Sequence, residues 1–313
     1  MPKLVISADG PEAWESWRDA FARAAPDVET ISWYDPAHSP SEAQYALVWQ
    51  SDPCDMALMS HMRAILSVSA GVNQLVNRPD FPVGVPLVRM GGEETAALMA
   101  DYILWATIGL LRDARRWALQ QQTHIWARNV ASRTTEGARI GILGFGHLGS
   151  AVAERLVHAG ARVSAWSRSP HEAKDVQLFS GPDELSAFLT QVETLVNLLP
   201  STAETRNLID KAFLAKLPTG AGLINVGRGE HVVESDLISA LDAEHLSGAV
   251  LDVFTMEPLP KESRLWSHPR ITITPHVAAE ASRDAQVAYV GQAIREIEAG
   301  QTPPLLYHPD RGY

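Results

Sequence analysis

The sequence predicts an α/β protein built from two doubly wound parallel-sheet domains. Three observations lead there. With 313 residues the chain has the length of two domains, and at 46% hydrophobic residues it can fill two cores. Short β-branched runs alternate with helical patterns in two successive series, as parallel βαβ units require. One long helical stretch separates the two series.

In the first series the strand runs are KLVISA (3–8), VETISW (28–33), ALVW (46–49), AILSVSA (64–70) and VPLVRM (85–90). The clearest early helix is EAWESWRDAFARAA (12–25), where Trp14, Trp17, Phe21 and Ala24 recur at spacings of three and four and mark a core face. From Glu93 to Gln122 the pattern predicts one boundary helix, followed by a polar loop through WARNVASRTTEG. A second series then supplies RIGILGFG (139–146), ARVSAWS (161–167), TLVNLLP (194–200), GLINVG (222–227), GAVLDVF (248–254) and ITITP (271–275). The helical pattern of 281–299 is placed to return to the first domain. There is no solenoid repeat and no low-complexity segment.

Composition narrows the partners. A formal charge of −11 argues against nucleic acid, which is met by basic patches, while an anionic metabolite would need a locally positive site. No run approaches 18 consecutive apolar residues and MPKLVISADG lacks a secretory pattern, so no membrane is expected and cytoplasm is the default. The single cysteine, Cys54, rules out an internal disulfide and a multi-cysteine metal site. No base neighbours it in SDPCDMAL, so a structural role is expected and no metal is assigned.

The most informative motif is Gly144, Gly146 and Gly149 in GFGHLG, a G-x-G-x-x-G that ends an apolar strand and opens a helix. Gly144 allows the tight turn, Gly146 lets a pyrophosphate approach the backbone, and Gly149 lets the helix pack closely. Amide groups around His147 and Leu148 would face the phosphates. Ser167 lies 18 residues beyond Gly149, at a strand end where an acid would accept from the adenosine ribose. Ser167-Arg168-Ser169 stands there instead, and a guanidinium can hold a 2′-phosphate. One such charged hydrogen bond is worth about 1.5–3 kcal/mol, roughly ten- to a hundredfold in favour of NADP.

Three further strand runs end in complementary chemistry: Arg228 after GLINVG, Glu257 after GAVLDVF, and His276 after ITITP. Ligands of parallel sheets bind beyond the carboxyl ends of strands, so the three can converge. A guanidinium can grip a carboxylate and polarise the adjacent carbonyl. An imidazolium can give a proton to the oxygen while hydride reaches the carbon, and a carboxylate behind it fixes the tautomer.

The segments GFGHLG, NVGRGEHVVE, LDVFTMEPLP and TPHVAA resemble the signatures of the D-isomer-specific 2-hydroxyacid dehydrogenases. YALVWQ, SVSAGVNQL, AWSRSP, NLLPSTAETRNLI and LWSHPRITITPHVAA extend the resemblance along nearly the whole chain, most of all to the short bacterial NADPH-preferring glyoxylate/hydroxypyruvate reductases. It implies a Rossmann NADP-binding domain, residues 101–281, inserted into a flavodoxin-like substrate domain, residues 1–100 and 282–313. The active site would lie in the cleft of a homodimeric enzyme acting on a small anionic 2-oxo acid. Arg228 would orient the substrate, and His276 would be the general acid, paired with Glu257.

The resemblance also places the Ala70-Gly71 amides on the substrate carboxylate and Trp49 in the pocket wall. For the cofactor it implies Leu199 and Pro200 near the adenosine, and Val226, Gly227, Asp252 and Ala278 toward the nicotinamide. Two positions depart from the wider family: alanines follow His276-Val277 where glycine is common, and Asp101 stands where a glutamate is common. The rival readings are a dehydrogenase of bulkier 2-oxo acids and a nucleotide-sensing corepressor without turnover. The intact trio and the lack of an added tail count against the second. Phosphoglycerate dehydrogenases often carry an extra C-terminal domain, and formate dehydrogenases a glutamine in place of Glu257.

Overall fold

Apolar β-branched runs become strands, and all but one are shorter than the run that predicts them. The computed structural model describes residues 1–49, 54–128, 131 and 133–312. Gln50–Pro53, Asn129, Val130, Ser132 and Tyr313 lie outside the described residues, and with them part of the predicted polar loop. The chain forms two compact units, residues 1–95 with 281–313 and residues 96–280.

In the first unit β1 (Lys3–Ile6), β2 (Glu29–Ser32), β3 (Tyr45–Val48), β4 (Ala64–Ser67) and β5 (Leu87–Val88) make a parallel sheet in the order β2-β1-β3-β4-β5. The order reverses between β1 and β3, which is the flavodoxin-like arrangement. Alternate residues bury on opposite faces. Leu4, Ile6, Tyr45 and Leu47 pack with Trp17 and Phe21 of α1 (Trp14–Ala24) and with Val287, Val290 and Ile294 of α9 (Arg283–Glu298). On the other face Val5, Ala46, Val48 and Ile65 pack with Met56, Met59 and Leu75 of α2 (Asn73–Val76). Burial on both faces explains why these strands read as continuous apolar runs. Cys54 is buried in that second layer, consistent with a structural role.

The second unit carries β6 (Arg139–Leu143), β7 (Arg162–Ser167), β8 (Val176–Ser180), β9 (Thr194–Asn197), β10 (Ala221–Asn225), β11 (Leu246–Leu251) and β12 (Ile271–Ile273). All are parallel, in the order β12-β11-β10-β9-β6-β7-β8, a Rossmann sheet whose order reverses between β6 and β9. One face packs on α3 (Glu93–Arg112) and α5 (His147–His158), the other on α6 (Gly181–Leu189), α7 (Lys211–Leu214) and α8 (Glu234–Asp242).

Two expectations of the sequence need correction. The single helix 93–122 is two, because Asp113 adopts the left-handed conformation (φ 57°) between α3 and α4 (Ala114–Gln122). A short polar side chain tolerates that region, so the break leaves no glycine or proline to announce it. Strand β8 went unread, because its five residues are only partly buried at the sheet edge and lack the β-branched density of the others. By length and composition α3 could cross a membrane, with mean hydropathy 1.2. Met99, Ile103 and Ala106 are nevertheless buried in the sheet core.

Candidate active site

Most predicted strands overrun at the carboxyl end, where the surplus residues form loops at the edge of the sheet, and these loops hold most of the candidate residues. In the first unit Trp49 follows β3 and is exposed, and Ala70 and Gly71 follow β4, partly buried. The remaining candidates belong to the second unit.

The glycine loop has the form a pyrophosphate needs. Gly144 sits at φ +96° under the Leu198 carbonyl, where an added Cβ would come within 2.9 Å. A Cβ on Gly149 would meet the Gly144 carbonyl at 2.1 Å, so the helix can approach only without one. Gly146 faces open space, with nothing within 4 Å of an added Cβ, and it starts α5 with no side-chain cap. The first-turn amides therefore have no side-chain acceptor from the cap position, and the residues fit an anionic dinucleotide. Leu199 is buried and Pro200 partly buried beyond β9, across the reversal in strand order.

At the end of β7, Arg168 and Ser169 are exposed, but Ser167 is buried and gives its hydroxyl proton to the Ser169 carbonyl at 2.7 Å. Ser167 therefore shapes the turn that presents its two neighbours. The Arg168 charge also acts on exposed Glu204, contributing to a carboxyl pKa below the usual range that hydrogen bonds from Thr202 and its own backbone chiefly cause.

The trio meets in part by direct contact. His276 Nδ1 lies 2.7 Å from Glu257 Oε2, while the Phe254 amide donates to Glu257 Oε1 at 2.9 Å. With Nδ1 engaged, Nε2 is the ring nitrogen left for chemistry. Arg228 is partly buried, and its Nη1 donates to the Gly227 carbonyl at 2.6 Å. Burial pushes its guanidinium below the ordinary arginine value, opposed by the charges of Glu257 and Glu230.

Asp252, expected toward the nicotinamide, is engaged within the protein. It is 1% exposed, and its carboxylate accepts from Thr274 Oγ1 at 2.6 Å and from the Val277 and Ala278 amides at 2.9 and 3.0 Å. Those bonds brace the turn on which His276 stands at φ 57°. Tyr102 of α3 extends the chain, 2.6 Å from Thr274 Oγ1, and burial pushes its phenol up to about 12. Val226, Gly227 and Ala278 are buried beside these loops.

Sequence reasoning missed a second layer. Asn197 and Asn225, the last residues of β9 and β10, are joined by a 2.8 Å hydrogen bond and buried with His231. Glu230 accepts from Ser201 and pairs with Arg206 at 3.2 Å, tying the β9 loop to the Arg228 loop. The available signal was an asparagine closing each of two otherwise apolar strands, in TLVN and AGLIN.

A family sequence model for the D-isomer specific 2-hydroxyacid dehydrogenase, NAD binding domain, matches residues 104–278. The chain belongs to this family. Its members are NAD(P)-dependent oxidoreductases, and the Rossmann unit with its glycine loop is the part matched. Among curated relatives, glyoxylate/hydroxypyruvate reductase A of Serratia proteamaculans (strain 568) is 37% identical over 304 residues, 96% of each chain. Two solved structures align over the whole length. A D-isomer specific 2-hydroxyacid dehydrogenase from Xanthobacter autotrophicus Py2, in complex with NADPH and MES, has a TM-score of 0.92 and 35% identity, covering 100% of this chain and 99% of that one. An NADPH-dependent glyoxylate/hydroxypyruvate reductase from Sinorhizobium meliloti, in complex with NADP and sulfate, has a TM-score of 0.89 and 32% identity, covering 100% of both.

Proposed function

We propose that this 2-hydroxyacid dehydrogenase reduces small 2-oxo acids with NADPH, glyoxylate to glycolate and hydroxypyruvate to D-glycerate. The observation that carries the reading is the His276–Glu257 hydrogen bond at 2.7 Å, beside Arg228 and on the same sheet edge as the glycine loop. When bound, NADPH supplies the hydride that forms the new C–H bond. Arg228 grips the substrate carboxylate and polarises the neighbouring carbonyl. His276 gives its Nε2 proton to the carbonyl oxygen, and Glu257 holds the ring by Nδ1 and complements its charged form.

For the cofactor, the glycine loop with His147 and Leu148 takes the pyrophosphate, and Arg168 with Ser169 takes the 2′-phosphate. Support comes from the relatives solved with NADPH and NADP and from the exposed guanidinium at the end of β7. A cytoplasmic homodimer is the proposed assembly. The second unit exposes Trp105, Ile108, Trp117 and Ile125 on or just beyond α3 and α4, and Trp126 is 97% exposed. Apolar area of that kind is usually covered by a partner. Sedimentation at a mass of one chain, 34.1 kDa, would contradict the dimer.

The reading as a whole is tested by a 2-oxo acid panel with NADPH and NADH in parallel. NADPH oxidation with glyoxylate and hydroxypyruvate is expected. Silence across the panel would refute the activity, and a preference for bulky 2-oxo acids would move the substrate assignment.

A further inference from the structure

Behind Arg228 lies a buried titratable group that the chemistry above does not use. His231 is 0% exposed, three residues past Arg228 at the end of a single 3-10 turn. Two N–H donors converge on its Nδ1: the Arg228 amide at 3.2 Å and Asn197 Nδ2 at 2.9 Å. Two donors on one ring nitrogen require an acceptor there, so the ring is neutral with its proton on Nε2. Burial, with Arg228 nearby, holds the imidazole down at about 4, in agreement with that state, and the Pro200 carbonyl opposes the shift.

The peptides on either side of the one that carries the Arg228 amide are held too. Asn225 Nδ2 donates to the Arg228 carbonyl at 3.2 Å, its Oδ1 accepts from the Gly227 amide at 3.3 Å, and Asn197 ties it to His231. The Arg228 guanidinium is in turn bonded to the Gly227 carbonyl, so the peptide's orientation sets the side chain's. Gly227 leaves no slack. A Cβ there would stand 3.0 Å from His231 Nδ1 and 2.9 Å from Asn197 Nδ2.

We propose that His231 is a positioning residue whose imidazole, accepting through Nδ1, holds the Arg228 amide and thereby aims the guanidinium at the substrate. The inference rests on the reading of Arg228 as the substrate-gripping residue. His231→Phe keeps an aromatic ring and removes the acceptor. It should raise KM for glyoxylate and hydroxypyruvate about tenfold, as for one lost buried hydrogen bond, and leave KM for NADPH within about twofold.

A double-mutant cycle separates positioning from general damage. In an Arg228→Ala background, His231→Phe should change kcat/KM by less than about twofold, because the residue it aims is gone. An equal loss in both backgrounds, or an unchanged KM in the single variant, would overturn the inference. Where His231→Phe does not fold, Asn197→Leu, which removes the other partner of Nδ1, goes through the same cycle and is judged by the same outcomes. An unaltered chain that reduces no 2-oxo acid would instead remove the reading of Arg228 beneath it, and this inference with it.

Discussion

At the residue scale, His276 shows how much structure holds the proposed proton donor. It stands at φ 57°, where a side chain with a Cβ costs about 1–2 kcal/mol, and the Asp252 carboxylate holds the two amides after it. The same scale decides the cofactor. The Ser167 hydroxyl is committed to its own turn, so in the proposed cofactor site discrimination would fall on Arg168 and Ser169. Arg168→Ala should raise KM for NADPH about ten- to a hundredfold and barely alter KM for NADH; equal changes in steady-state kinetics would return Arg168 to an ordinary loop residue. These charged residues were legible in the sequence because each interrupts an apolar run at a strand end. Asn197, Asn225 and His231 were not. They act through contacts across 28 and 34 residues, and a lone asparagine at a strand end looks the same whether it meets water or a histidine.

At the scale of elements, the loops depend on close approach between strand ends. A Cβ on Gly229 would fall 1.8 Å from the Phe254 carbonyl carbon, so the loop carrying Arg228 touches the backbone just ahead of Glu257. Gly229→Ala should separate those loops. The expected result is a loss of several degrees in Tm, for about 1–3 kcal/mol of overpacking, together with a larger loss of kcat/KM. A variant with unchanged Tm and turnover would show that the two loops need not touch. The strands themselves were readable from their apolar runs, yet most runs continued past the last ladder bond. Apolar loop residues such as Leu199, Val253 and Phe254 are buried, and burial is all that hydrophobicity reports. The turn at Asp113 was hidden for a related reason: its left-handed backbone carries no composition signal.

At the scale of the whole molecule, two parallel sheets bring the candidate residues to their carboxyl edges: in the second, the glycine loop and Leu199-Pro200 lie where strand order reverses, and Arg228, Glu257 and His276 lie beyond β10, β11 and β12. The βαβ alternation made both sheets predictable, whereas the edge strand β8 had too little burial to stand out. Folding also leaves a pH signature. His231 titrates near 4 when folded and near 6.5 when unfolded, so below pH 6.5 the unfolded chain takes up the proton first. Its contribution is complete above pH 6.5 and is lost as pH falls to about 4, on the order of 3 kcal/mol. Chemical denaturation across that range should show the decline, and His231→Phe should flatten it; parallel curves for the two proteins would contradict the assignment.

In the proposed reaction His276, backed by Glu257, protonates a 2-oxo acid as NADPH reduces it. The most direct measurement is turnover of hydroxypyruvate by the unaltered chain and by His276→Ala, following NADPH consumption and D-glycerate together. One D-glycerate per NADPH is expected, with a kcat lowered about 10²- to 10⁴-fold in the variant and NADPH binding retained. NADPH consumption without D-glycerate, or a His276→Ala enzyme that turns over as fast as the unaltered one, would contradict it.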